Sequence, residues 1–236
     1  SEIQSVNTVF ASVALPASAT TQSTFLNQVF IGMFRPDAGQ NPRWFGNLKQ
    51  YRLGLVGPTN DKKLKLLDSR ETTTAGVTTY YEAINSSTGF ITECAESYWT
   101  PSSADNYWAS PLIPQGDCLG ADPTSNTPDG PVVEKGGQAY MRRASSTRTV
   151  YSCNSASGVD CAPPMSGALA VYGYGATLSG NDSADWAVGH DIDDEDARPA
   201  TAMRASIHGD VIHARPVALN YGDDDNPEVA VFYGGN

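Results

Sequence analysis

Over residues 5–15 apolar side chains recur at two-residue spacing, so that Val9, Ala11, Val13 and Leu15 fall on one side of an extended chain. Pro16 then ends the strand that this period predicts. The next run, Phe25 to Phe34, is almost continuously apolar after Asn27-Gln28, the pattern of a strand buried on both faces. Arg35-Pro36-Asp37-Ala38-Gly39 supplies a turn. A third strand is predicted from about Arg43 to Leu55, carrying Trp44, Phe45, Leu48, Tyr51, Leu53 and Leu55. Together these strands predict a β-meander.

From Gly57 to Pro131 the pattern dissolves into Ser, Thr, Asn, Asp, Gly and Pro with isolated aromatics, and about 57–131 reads as an irregular insertion. Val132 to Arg143 holds the best helical pattern, with Asp129 available as a cap and basic residues at its end, although Gly136 and Gly137 weaken it. Thr147 to Tyr151 predicts a short strand, and Asp182 to Gly189 a short helix with Trp186 on its buried side. Val211 to Tyr221 and Glu228 to Tyr233 flank Gly222-Asp223-Asp224-Asp225-Asn226-Pro227, a hairpin signal. Two paired strands are marginal alone, so this hairpin is expected to belong to a larger sheet completed by residues beyond Asn236. No internal repeat stands out.

Composition agrees with short strands and long turns: 22 Gly and 15 Pro accompany many Ser, Thr, Asn and Asp residues. The formal net charge of −11, from 26 acidic and 15 basic residues, repels a phosphate backbone and argues against nucleic-acid partners. No apolar run reaches the length of a membrane-spanning helix. Cys94, Cys118, Cys153 and Cys161 form an even set without C-x-x-C or a nearby paired His, which favours disulfides over zinc and an oxidising compartment. Of the three possible pairings, the sequence-local one joins Cys94 to Cys118 and Cys153 to Cys161. It would staple the 57–131 insertion.

The candidate chemistry is sparse. Asp191-Ile192-Asp193-Asp194-Glu195-Asp196 is oxygen-rich, and Asp191, Asp193 and Glu195 are the candidate calcium ligands. The run departs from the EF-hand pattern, since the sixth residue is Asp196 rather than Gly and the twelfth is Ala202 rather than Glu. A solvated acidic loop paired with Arg198 or Arg204 is the plainer alternative. His208, Asp210 and His213 are the residues from which a secreted hydrolase or carbohydrate-binding domain would be argued. Strand alternation separates His213 from the other two, and there is no G-x-S-x-G, so the favoured reading has His208 and Arg215 hydrogen-bonding buried backbone or carboxylates where two sheets meet. Gly173-Tyr174-Gly175 fails the dinucleotide fingerprint because residue 178 is Leu. Tyr98, Trp99, Tyr107 and Trp108 sit in Ser/Asn/Asp-rich sequence near two cysteines, where they read either as a contact surface or as the plug of a satellite core.

Several segments, in order, resemble the PilC/PilY family of type IV pilus tip-associated adhesins. They are Asn27-Gln28-Val29-Phe30-Ile31-Gly32-Met33-Phe34-Arg35-Pro36-Asp37 with Arg43-Trp44-Phe45-Gly46-Asn47-Leu48-Lys49-Gln50-Tyr51, then Pro128 to Gly137, Ala205 to Pro216, and Val231 to Asn236. The resemblance implies a noncatalytic adhesion and pilus-assembly module, exported through the periplasm to the pilus tip or outer cell surface. Its partners would be minor pilins and a host or abiotic surface. In that family the Phe-Tyr-Gly-x-Asn step leads into a C-terminal β-propeller, so residues 208–236 would be its opening strands and 1–207 a separate β-rich domain. The family's calcium loop would lie in the propeller beyond Asn236.

The expected fold is therefore mainly β with a few short helices. It is a meander platform with long disulfide-stapled loops and a C-terminal hairpin from an incomplete propeller blade.

Overall fold

The computed structural model describes residues 10–14, 27–36, 44–105, 107–108, 124–144, 150–152, 170–172, 182–193, 203–204, 207–211, 216–223 and 226–235. The chain forms two units, one of residues 1–141 with 208–236 and one of residues 142–207. The fold is mainly β, as the composition predicts.

In the first unit β1 (Phe10–Ala14), β2 (Gln28–Arg35), β3 (Phe45–Val56), β4 (Lys63–Thr74) and β5 (Val77–Glu82) form one antiparallel sheet in sequence order. β2 pairs with β3 from Gln28↔Arg52 to Arg35↔Phe45, which sets Val29, Ile31 and Met33 on the same face as Asn47, Lys49 and Tyr51. Phe30 and Leu48 point the other way. The six central residues of β2 are buried, so the near-continuous apolar run does mark a strand covered on both sides.

Each face has its own cover. Val29, Ile31, Met33 and Tyr51 pack with Ala83, Ala95 and Val133 from the loops that follow the sheet. Phe30 and Leu48 pack with Ala218, Val229 and Val231. Those last three belong to a hairpin of β8 (Val217–Asn220) and β9 (Val229–Phe232), which lies where the polar 222–227 turn predicts it.

Two expectations are corrected. The stretch from Gly57 is not irregular at its start, because β4 and β5 extend the sheet with a hairpin turned at Ala75 and Gly76, both at positive φ (51° and 79°). Its β-branched Thr residues are good strand formers, yet they read as loop composition when counted with Ser and Asn. The helix expected over 132–143 is only α1 (Gly137–Ala144). Gly136 and Gly137 have φ of 60° and 54°, outside the right-handed helical region, so the chain enters the helix only there. Asp129 does not cap it. Gly137 N–H donates to Thr100 Oγ1 at 2.9 Å and Ala139 N–H to Asn47 Oδ1 at 2.9 Å, so both caps come from outside the helix.

In the second unit β6 (Val150–Ser152) pairs with β7 (Ala170–Tyr172). Helix α2 (Asp182–Val188) follows, within the span predicted for it. Trp186 is half-buried, and the buried Arg204 places its guanidinium 4.1 Å from the Trp186 ring centroid.

Candidate functional site

The most constrained polar constellation sits at odd positions of β3, on the face it shares with Val29, Ile31 and Met33. A strand alternates its side chains, so Asn47, Lys49 and Tyr51 project together from one face. All three are buried, with Asn47, Lys49 and Tyr51 each showing 0% exposure. Opposite them runs the segment 129–137, whose backbone carbonyls turn toward the strand instead of into a helix.

Lys49 Nζ lies 2.9 Å from Asp129 Oδ2 and donates to the carbonyls of Asp129 (3.2 Å), Gly130 (2.9 Å) and Val132 (2.8 Å). Burial pulls the ammonium's pKa down and the Asp129 carboxylate pulls it up. Asp129 is held in turn by Ser97, whose N–H and Oγ donate to its two carboxylate oxygens at 2.8 Å each. Asn47 Nδ2 donates to the carbonyls of Val133 (2.8 Å), Gly136 (3.0 Å) and Lys135 (3.1 Å), while its Oδ1 caps α1. Arg35, at the end of β2, pairs with Glu134, its Nε donating to Oε1 at 2.9 Å. The arrangement is a clamp that gives a buried, irregular backbone the partners it needs. Burial, with Asp129 and Asp68 nearby, raises the Tyr51 hydroxyl's pKa well above its ordinary range.

The first two residues of the same strand make a second junction. Gly46 N–H donates to His208 O at 3.1 Å, and Phe45 bridges Gly209. A Cβ on Gly46 would stand 2.0 Å from Gly209 O, so only glycine permits this approach. His208 is buried, its Nδ1 2.7 Å from Gly209 O and its Nε2 2.8 Å from Tyr233 OH, with the two rings stacked at 5.5 Å. A carbonyl can only accept, so Nδ1 carries a proton. Asp210 is also buried. His213 lies outside the described residues.

The four aromatic candidates do not share one environment. Trp108 is 4% exposed, packs edge-on to Tyr107 at 5.1 Å and donates from Nε1 to Asn126 Oδ1, as a plug of a small core does. Trp99 is half-buried, adopts φ 70° and stacks on Phe30 at 6.2 Å. Tyr98 is half-buried and joins β3 through its N–H to Gln50 O; burial raises its hydroxyl's pKa.

Cys94 is disulfide-bonded. Cys118, Cys153 and Cys161 lie outside the described residues. Asp191 is buried and Asp193 exposed, while Glu195 lies outside the described residues. Among the described residues no group of three or more His, Cys, Asp or Glu side chains is placed to hold a metal.

Sequence reasoning assigned no role to Asn47, Lys49 and Ser97, and gave Asp129 only that of a helix cap. A partial signal existed: Asn47 and Lys49 stand two apart in a predicted strand, on one side of it, and such polar groups require partners wherever that side is buried. No family model matches the chain, nor does any curated protein or solved structure.

Proposed function

We propose that the chain is a noncatalytic adhesion and assembly module of the type IV pilus tip, similar to the PilC/PilY family and exported to the cell surface. The observation that carries this reading is that the separate segments bearing the resemblance meet around β3. Asn47 and Lys49 grip the backbone of 129–136, Gly46 touches Gly209, and His208 joins Tyr233 of the last segment. Segments that are interdependent in space are what a shared scaffold requires, whereas chance matches have no reason to adjoin.

In this reading β8 and β9 open a propeller blade. Val217, Leu219 and Phe232 support it, since they share the hairpin face turned away from the sheet and are 50%, 42% and 53% exposed. The pairing of Cys94 with Cys118 and of Cys153 with Cys161 belongs to the same proposal, with minor pilins and a host or abiotic surface as partners. A hydrolase or carbohydrate site on His208, Asp210 and His213 has less support, because both ring nitrogens of His208 are engaged by Gly209 and Tyr233.

Immunogold labelling of intact source cells with antibodies against this chain tests the proposal. Gold at pilus ends and on the outer surface is expected. Gold confined to the cytoplasm of sectioned cells would overturn it.

A further inference from the structure

We propose that β5 is a self-pairing edge, and that two copies of the chain join through it, antiparallel across a two-fold axis near Thr79, into one continuous sheet. β5 is the last strand of the five-stranded sheet, and its first five residues are exposed. Val77, Tyr80 and Tyr81 are 67%, 39% and 40% exposed. An edge strand presents a row of backbone donors and acceptors, and proteins that must stay apart blunt it with Lys, Pro or a bulge toward solvent. Val77-Thr78-Thr79-Tyr80-Tyr81-Glu82 has no Lys and no Pro, and the irregularity in its pairing puts the extra residues on β4, between Leu67 and Glu71, not on the edge strand itself. Its one charge, Glu82, is already paired with Lys65 at 3.0 Å.

The edge is also rigid before any partner arrives. Thr78 Oγ1 meets Thr73 Oγ1 at 3.0 Å and Tyr81 OH meets Thr72 Oγ1 at 3.1 Å. Arg52 lies over the Tyr80 ring and Arg70 over the Tyr81 ring, each at 4.7 Å, so the two faces of β5 are braced from β3 and β4. Preorganisation lowers the cost of ordering on association.

Charge selects a second copy as the occupant. Over 61–82 the four basic residues Lys62, Lys63, Lys65 and Arg70 cancel the four acidic residues Asp61, Asp68, Glu71 and Glu82, so the whole net charge of −11 lies elsewhere. Two acidic copies repel over most of their surface, and this neutral edge is where they can meet without that cost. Antiparallel pairing of a strand with itself is isologous and therefore closes as a dimer rather than a fibre. A single strand pair is small for an interface, so the dimer is weak.

Sedimentation of the full chain from ~10 μM to ~1 mM tests this, because a self-association must depend on protein concentration. The average mass is expected to climb from monomer toward dimer, and amides within 77–82 to exchange more slowly at the high end. Thr79→Lys sets two like charges close together at the axis and is expected to leave a monomer throughout, with its circular dichroism and melting unchanged. A wild type that stays monomeric at every concentration overturns the proposal. So does a dimer that survives Thr79→Lys, or one abolished instead by Leu219→Glu on the β8–β9 face.

Discussion

Lys49 and Asp129 form an ion pair from which solvent is wholly excluded, with Nζ 2.9 Å from Oδ2 and both side chains at 0% exposure. Eighty residues of sequence separate them, so the pair ties the centre of the sheet to the loop that leads into α1. Removing one partner of a buried pair strands the other charge in a medium that cannot solvate it, which costs about 3–5 kcal/mol. Against a typical total stability of ~5–15 kcal/mol that is a large share. Lys49→Met is therefore expected to lower the urea midpoint sharply. Lys49→Met with Asp129→Asn is expected to cost less than the two single changes added together, since the double variant leaves no lone charge.

Gly46 and Gly54 lie on the same strand and meet different obstacles. A Cβ at Gly46 would stand 2.0 Å from the backbone oxygen of Gly209, whereas one at Gly54 would meet Leu67 Cδ1 at 2.4 Å. Backbone cannot rotate away and a leucine methyl can. Gly46→Ala is therefore expected to push residues 208–211 off the strand, losing the Gly46–His208 hydrogen bond, at about 1–3 kcal/mol or more. Gly54→Ala is expected to cost less. Hydrogen exchange separates the two, with faster exchange at Gly46 and through 208–211 only in the first variant.

How far this architecture was legible varied with the kind of signal. β2 was readable because the nearly continuous apolar run Val29 to Phe34 admits few other placements, and β3 because Phe45, Leu48, Tyr51, Leu53 and Leu55 recur along it. The β8–β9 hairpin was readable from its polar turn. β4 and β5 were not, since Thr72-Thr73-Thr74 and Thr78-Thr79 are strand formers whose exposed positions carry no apolar alternation. The clamp was hidden for another reason: Lys49 and Asp129 gain meaning only through a contact across 80 residues, which no local period encodes. Of the residues singled out for chemistry, His208 proved to be a buried junction, in line with the role favoured from its alternation with Asp210 and His213.

Acid titration reads out two carboxyls, the buried Asp68 and the half-buried Glu96. Burial is the leading cause that raises both Asp68 and Glu96, opposed at Asp68 by Arg70 and at Glu96 by the Thr127 hydroxyl, which donates to its Oε2 at 2.8 Å. A carboxyl raised in the native state binds its proton more tightly there than in the unfolded chain. Its contribution is fully present below the unfolded pKa and is lost as pH rises through the folded one. Raising the pH from about 4 to about 7 is thus expected to erode stability at these two sites. Glu96→Gln keeps an oxygen for Thr127 and removes the titration, so its stability relative to wild type is expected to rise across that window. Melting temperatures of the two proteins at matched pH check the slope, and parallel curves would show that Glu96 does not contribute to it.

Cys94 precedes Ala95, whose carbonyl accepts from Gly130 N–H at 2.9 Å and whose side chain lies in the core beneath the sheet. A disulfide at Cys94 therefore constrains the chain beside the Lys49 clamp. Peptide mapping without reduction is expected to recover a Cys94–Cys118 link and a separate Cys153–Cys161 link. Closing a loop of that length removes enough freedom from the unfolded chain to stabilise the fold by about 3 kcal/mol. Reduction is accordingly expected to lower the melting temperature, and Cys94→Ser to reproduce the part of that loss owed to the first link. Recovery of Cys94 joined to Cys153 or Cys161 would instead tie residues 1–141 covalently to 142–207, and Cys94→Ser would then loosen the second unit as well as the clamp.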